Sequence, residues 1–142
     1  MKERRPALPS DLPCPCQLAG SSIRYVQCCG VLHQRFTDSG ELSAPDASTL
    51  MRSRYSAYVL DQLAYLLATW HASTRPAKLE PNEPGLKWLD LDVKAHQIQD
   101  PDHATVEFVA RSKLGGRAHR LHEISRFVRE NGAWYYVDGK MR

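Results

Sequence analysis

Long apolar runs are missing from this sequence, and their absence excludes several classes of protein. No stretch of about 18 apolar residues occurs, so we expect no membrane-spanning helix and no membrane insertion. A secretory signal is not expected either, because prolines and an acidic residue interrupt the segment after the charged N-terminus. These absences predict a cytoplasmic protein, whose cysteines would meet a reducing environment that favours metal binding over lasting disulfides.

A large excess of one charge is also missing. The chain has 19 basic and 16 acidic residues, and its formal charge of +3 is too small to indicate nucleic-acid binding by itself. Nucleic-acid binding is therefore the weakest functional hypothesis, and it would use Lys2, Arg4, Arg5 and Arg24. The sequence contains no P-loop, dinucleotide-binding fingerprint or nucleophile elbow. No catalytic residue can be assigned, and a non-enzymatic role is favoured over an enzyme.

The 142 residues divide into three predicted segments. Residues 1–13 are rich in proline and charge and are interpreted as a flexible arm. Residues 14–33 hold all four cysteines and are interpreted as a small metal-binding module. Residues 34–142 contain the apolar periodic segments and are predicted to form one α+β domain, after a polar connector over residues 34–45.

Two helices are predicted at the start of this domain. Asp46 or Ser48 is a suitable N-cap, and apolar residues recur at helical spacing after it. A second helix is predicted from near Asp61 to Trp70, and whether it continues the first stays open. Three prolines within residues 73–85 predict a long loop.

Strands are predicted in the second half of the chain. The strand-like segments are residues 88–93, 105–111, 117–129 and 133–137. Gly115-Gly116 and Asn131-Gly132 are typical of hairpin turns. The expected fold class is therefore α+β, with helices packed on an antiparallel sheet.

The four cysteines indicate a metal site. Cys14 and Cys16 form one pair, Cys28 and Cys29 form the other, and eleven residues separate the pairs. Zinc prefers four tetrahedral ligands, thiolates among them, so one structural zinc ion per chain is predicted. The alternatives are free buried thiols, disulfides, a redox dithiol that would lack the usual Cys-x-x-Cys spacing, and His33 as a zinc ligand.

This cysteine segment resembles the SEC-C motif, a small zinc module. The matching residues are Cys14-Pro15-Cys16, Gly20-Ser21-Ser22, Tyr25 and Cys28-Cys29-Gly30. Three residues, Gln17-Leu18-Ala19, are inserted relative to the usual motif. The resemblance implies that residues 14–33 form a zinc knuckle with the four cysteines as ligands.

The rest of the chain resembles the YchJ-like family of bacterial proteins. The matching segments are Leu50-Met51-Arg52-Ser53-Arg54-Tyr55, Thr69-Trp70-His71, Phe108-Val109-Ala110-Arg111, Ser125-Arg126-Phe127 and the stretch from Asn131 to Gly139. The resemblance implies a nuclear-transport-factor-2-like (cystatin-like) domain, with helices in the hollow of a curved sheet and a pocket between them. Many members carry a second SEC-C module at the C-terminus. The second half of this sequence contains no cysteines, so no second module is expected within residues 34–142.

A pocket in such a domain would be lined by Arg52, Tyr55, Trp70 and Tyr136. A guanidinium group binds carboxylate or phosphate in a fork, so an anion is the expected ligand. Arg52 and Arg54 could instead be surface arginines, and Trp70 could be core packing.

Three functional hypotheses follow. The first is a protein-interaction or adaptor module that presents the zinc knuckle to a protein partner. The second is a small-molecule binder or enzyme that uses the pocket, and the third is the nucleic-acid binding described above.

Overall fold

The computed structural model describes residues 12–17 and 23–142. The predicted flexible arm lies outside the described residues except for Leu12 and Pro13, and so do residues 18–22 of the knuckle. A short 3₁₀ turn over Tyr25–Gln27 comes before the regular elements. In chain order these are α1 (Cys29–Ser39), α2 (Ala47–Val59), α3 (Leu63–Ala68), β1 (Lys87–Asp100), β2 (His103–Leu114), β3 (Arg117–Glu130) and β4 (Ala133–Met141). None of the helices in the described ranges has the length and apolar character needed to cross a membrane.

The sheet is an antiparallel meander in the order β1-β2-β3-β4. The predicted turns at Gly115-Gly116 and Asn131-Gly132 connect β2 to β3 and β3 to β4. All four turn residues have positive φ, which is the backbone that two-residue hairpin turns require. Three irregularities in the β1–β2 register and one in the β3–β4 register interrupt the pairing. Irregularities of this kind bend strands, and the result is the curved α+β architecture that the sequence predicted.

Two element bounds differ by six residues or more from the sequence expectation, and the ends of β2 and β4 differ by two to four residues. Residues 34–39 belong to α1, whereas the sequence predicted a connector from residue 34. The helix ends at Gly40, whose φ of 78° is left-handed and whose N–H bonds to the Phe36 carbonyl. The predicted boundary between residues 33 and 34 therefore falls inside a helix. The first strand also runs seven residues further than predicted, to Asp100, because paired backbone continues through a polar and exposed sequence.

The helix α2 is the central element of the molecule. Asp46 caps it by accepting a 2.7 Å hydrogen bond from the Thr49 N–H, which identifies Asp46 and not Ser48 as the N-cap. The helix stops at Leu60 and does not continue into α3, since Asp61 has φ 56°. Eight residues of α2 are buried, and they lie on both sides of the helix. One side packs on the sheet, and the other packs on α1 and on the cysteine segment.

The core lies between α2 and one face of the sheet, which we call the inner face. Inner-face side chains alternate along the strands. Buried members are Leu91, Ala104, Val106, Phe108, Ala110 and Phe127. Cys14, Cys16 and Cys29 belong to the same continuous cluster of buried side chains.

Candidate metal centre and cavity

The four cysteine sulfurs lie together. The Sγ atoms of Cys14, Cys16, Cys28 and Cys29 are all within 4.8 Å of one another, and no disulfide joins them. The Cys16 and Cys28 sulfurs are 3.6 Å apart. Four sulfurs at the usual zinc–sulfur distance of about 2.3 Å would be separated by roughly 3.8 Å along each tetrahedral edge. The donor set and its spacing therefore fit a tetrahedral metal ion.

Local backbone structure brings the two pairs together. A bridge between Pro13 and Arg24 aligns the two halves of the segment, and the Cys14 N–H bonds to the Ile23 carbonyl at 2.9 Å. The second pair lies where the 3₁₀ turn meets α1. Gly30 is needed at this junction, because a Cβ there would lie 2.6 Å from the Tyr25 carbonyl oxygen.

The thiols shift one another's acidity. Hydrogen bonds from Cys16 and then Cys29 lower the pKa of Cys14, and a hydrogen bond with Cys29 lowers the pKa of Cys28 to about 7. The pKa of Cys29 is raised, first by its hydrogen bond to Cys14 and also by burial. A bound metal cation stabilises each thiolate, so metal binding would allow all four thiols of such a cluster to lose their protons.

The cluster packs directly on α2. Cys14, Cys16 and Cys29 are at most 3% exposed, and the Cys14 sulfur lies 3.6 Å from the Ser56 hydroxyl. Arg52 Nη1 donates to the Cys16 carbonyl at 3.2 Å. The cysteine cluster is therefore continuous with the core.

His33 lies beside this cluster but belongs to another network. Its Nε2 is 2.8 Å from the Ser53 carbonyl, which can only accept, so Nε2 carries the proton. Its Nδ1 then accepts from the Tyr25 hydroxyl at 2.6 Å, and Gln62 donates to the same hydroxyl at 3.0 Å. Burial lowers the pKa of His33, which keeps this neutral form. The imidazole ties the 3₁₀ turn to α2 and is not part of the sulfur cluster.

A second candidate site lies between α2 and the inner face of the sheet. It is a cavity of about 200 Å³ with an opening to solvent. Most of its walls are aromatic or aliphatic, and Arg54, Glu123 and Ser125 add polar groups. The lining residues are Met51, Arg54, Tyr55, Tyr58, Trp88, Phe108, Ala110, Leu121, Glu123, Ser125, Phe127 and Tyr136.

Two of the four predicted pocket residues line the cavity, and the other two lie elsewhere. Tyr55 and Tyr136 line the cavity. Arg52 does not, because it points to the cysteine segment. Trp70 lies behind the wall, with its ring edge-to-face against Tyr136 at 5.1 Å. The arginine of the cavity is Arg54, two residues further along α2.

Helical geometry explains why Arg54, and not the predicted Arg52, lines the cavity. Met51, Arg54, Tyr55 and Tyr58 follow the i, i+3, i+4, i+7 pattern of one helix face, and Arg52 lies about 100° away from Met51. Burial holds the Tyr55 hydroxyl neutral by raising its pKa to about 12. Glu123 was also missed, although strand alternation from the apolar Phe127 places it on the inner face.

Other polar side chains of the sheet pair with one another away from the cavity. His122 bonds to Glu107 at 2.7 Å on the outer face, opposite to the face of Glu123. Asp138 accepts two 2.6 Å hydrogen bonds from Arg126. Of the proposed nucleic-acid contacts, Arg24 is half-buried and bonds to Gln27, while Lys2, Arg4 and Arg5 lie outside the described residues.

Comparisons with known proteins identify the family. The family model described as "YchJ, middle NTF2-like domain" matches residues 46–139. The chain belongs to this family. A UPF0225 protein of Methylibium petroleiphilum is 61% identical over 132 residues, which cover 93% of this chain and 90% of that protein. A UPF0225 protein of Bordetella pertussis is 56% identical over 140 residues and 99% of each chain.

Two solved structures are similar over most of this YchJ-like chain. The solution structure of a SEC-C motif containing protein from Rhodopseudomonas palustris matches with TM-score 0.72 and 31% identity, covering 91% of this chain and 98% of that one. The crystal structure of a SEC-C motif containing protein from Psychrobacter arcticus matches with TM-score 0.75 and 28% identity, covering 94% and 84%. The family resemblance drawn from the sequence is thereby confirmed.

Proposed function

We propose that this YchJ-like chain is a zinc-binding protein in which Cys14, Cys16, Cys28 and Cys29 hold one structural zinc ion. The observation that carries the proposal is the approach of the four cysteine sulfurs to within 4.8 Å of one another. Four protein thiolates complete a tetrahedral shell, which suits a structural rather than a catalytic zinc ion. A cluster of metal-binding thiolates also suits the reducing cytoplasm as the protein's location.

The ion would fasten the N-terminal segment to α2. Residues 12–17 and 23–28 contain little regular structure, so the metal would add to the short-range backbone hydrogen bonds that hold them. Cys14 contacts α2 through Ser56, Cys16 accepts a hydrogen bond from Arg52, and the Tyr25–His33 network adds a third link.

Metal analysis tests this proposal. Protein purified without chelator should contain about one equivalent of zinc per chain, and Cys28→Ser should contain well under half of that. Gln27→Ser, at the exposed neighbouring position, is the matched control and should keep the full equivalent. A wild-type content near zero, or an intramolecular disulfide found by mass spectrometry under reducing purification, would contradict it.

Small-molecule binding in the inner cavity is the second candidate function. The specific observation in its favour is a cavity with a buried arginine among aromatic walls, which is the composition usual for ligand sites. Ala110 lines the cavity from β2 and is 4% exposed, so Ala110→Leu should fill part of the space. A fragment screen by NMR should give shifts at cavity residues in the wild type and lose them in Ala110→Leu.

The adaptor role of the zinc knuckle stays a prediction. Val26 is exposed on the 3₁₀ turn and offers an apolar contact point, but three of the four cysteines face the core. The structural observations therefore support metal binding and the cavity more directly than a protein partner.

A further inference from the structure

The charge of Arg54 is buried in a cavity that Glu123 also lines, but no ion-pair contact joins the two side chains. Arg54 is 5% exposed, and no described residue forms an ion pair with it. Its Nη1 donates to the Leu66 carbonyl at 2.8 Å and to the Thr69 hydroxyl at 2.7 Å. These two acceptors are neutral. A buried cation is normally paired with an anion, because its desolvation is costly.

Aromatic rings hold the guanidinium in place. The Arg54 Cζ atom lies 4.6 Å from the Tyr136 ring centroid and 5.0 Å from that of Trp70. In every hydrogen bond that Arg54 makes within the described residues the donor is Nη1, so the N–H groups of Nε and Nη2 are available to a ligand. Because Arg54 lines the cavity, these donors can serve a ligand there.

The rest of the cavity selects for a small ring. Its volume of about 200 Å³ is somewhat larger than the roughly 150 Å³ cavity that is known to hold benzene. Tyr55, Tyr58, Trp88, Phe108 and Phe127 contribute aromatic surface to the walls. Rings of this kind favour a planar aromatic ligand, through edge-to-face or offset contacts.

Glu123 sets the orientation of such a ligand. Its Oε2 accepts a 2.5 Å hydrogen bond from the Ser125 hydroxyl, and its side chain packs against the backbone of Gly139. A second carboxylate beside Glu123 would be repelled, whereas a hydroxyl could donate to it. The anionic end of a ligand therefore belongs at Arg54, and a donor belongs at Glu123.

We propose that the cavity binds a small aromatic carboxylate, with the carboxylate on Arg54 and a ring hydroxyl toward Glu123. This inference rests on the proposed binding of small molecules in the cavity. The two could fail separately, because a neutral aromatic compound tests the cavity without testing the charge.

The first experiment uses the zinc-loaded full chain at pH 7. It compares 4-hydroxybenzoate with its neutral analogue 4-hydroxybenzyl alcohol by calorimetry and by amide NMR. The acid should bind at least about 10-fold more tightly and shift signals from α2 and β3, because a charge-assisted bidentate contact is available to it alone. Equal affinities would overturn the carboxylate inference and leave cavity binding standing. Failure of both compounds to bind would overturn both proposals.

Variants locate the contact. Arg54→Gln should weaken binding of 4-hydroxybenzoate about 10- to 100-fold and remove its advantage over the alcohol. Arg120→Gln, at an exposed position on β3 outside the cavity lining, is the control, and the affinity for the acid should be unchanged. If Arg54→Gln does not fold, Ala110→Leu decides instead, since it keeps the arginine and fills the space. Binding of the acid that survives in Ala110→Leu, or that falls in Arg120→Gln, would overturn the assignment.

Discussion

At the scale of single residues, His33 shows how a side chain can matter without binding metal. It links Tyr25 in the 3₁₀ turn to the Ser53 carbonyl in α2, and each of its nitrogens has a buried partner. The side chain is 3% exposed. Its removal would leave the buried Tyr25 hydroxyl without an acceptor for its proton and would take one hydrogen bond from the Ser53 carbonyl, which costs more than the hydrogen bonds themselves contribute.

We therefore expect His33→Leu to lower the free energy of unfolding of the zinc-loaded protein by about 2 to 4 kcal/mol. His119→Leu, at an exposed histidine on β3, is the control and should change it by less than about 0.5 kcal/mol. Urea denaturation followed by tryptophan fluorescence measures both. Equal effects of the two substitutions would show that the network is not stabilising.

The same network predicts a pH dependence with a definite sign. Burial lowers the pKa of His33 below its ordinary 6.5, so the unfolded chain takes up a proton first as the pH falls. The stabilisation is fully present above pH 6.5 and is lost as the pH falls through the lowered pKa. The stability difference between wild type and His33→Leu should therefore shrink below pH 6.5. Release of metal in acid lowers the free energy of unfolding of both proteins, so its effect largely cancels in the difference between them.

At the scale of elements, the N-terminus of α2 is capped by Asp46 and not by Ser48, the other residue that the sequence offered as an N-cap. Asp46 accepts the Thr49 N–H, and no hydrogen bond to the helix N-terminus is made by the Ser48 side chain in the described residues. Asp46→Ala should lower the free energy of unfolding by about 1 kcal/mol, since it removes the cap and a charge that is favourable at a helix N-terminus.

Ser48→Ala is the matched control for the cap and should stay within about 0.5 kcal/mol of the wild type. Asp46→Asn should recover most of the loss, because the amide oxygen can still accept the hydrogen bond. Thermal unfolding followed by circular dichroism measures all three. A larger loss in Ser48→Ala than in Asp46→Ala would disagree with this assignment.

The elements also show which signals a sequence carries. The hairpin turns were predictable because glycine and asparagine are the residues that adopt positive φ readily. The second half of α1 was not, since its polar residues 37–39 look like a connector and the helix stop at Gly40 follows them. The end of β1 was missed for a similar reason, because backbone pairing with β2 does not require apolar side chains.

The candidate site was predictable to different degrees. The cysteine cluster was predictable from residue type, spacing and the SEC-C resemblance, and the structure brings all four sulfurs together. The cavity depended on which face of α2 turns toward the sheet. Arg52 and Arg54 are both compatible with a helix, and only the position of Arg54 between Met51 and Tyr58 on that face distinguishes it.

At the scale of the whole molecule, metal removal should separate the N-terminal segment from the sheet. The strands β2 and β3 pair along most of their lengths and share a core with α2, whereas the cysteines supply much of the attachment of residues 12–17 and 23–28. Chelation of zinc, or Cys28→Ser, should strongly reduce amide protection in residues 12–17 and 23–28 while protection in β2 and β3 persists. Hydrogen exchange followed by NMR measures this, with Gln27→Ser as the control. Loss of protection throughout the sheet would show that the predicted domain boundary is wrong.

The burial of α2 on both sides has an evolutionary consequence. Most helices at a protein surface keep one side exposed, and mutations accumulate there at little cost. Eight of the thirteen residues of α2 are buried, and they face the sheet on one side and α1 with the cysteine segment on the other. A substitution that changes side-chain volume in this helix must therefore be accommodated by one of two packed layers. Divergence of the cavity toward new ligands is easier from the strands, where alternate residues remain free to vary.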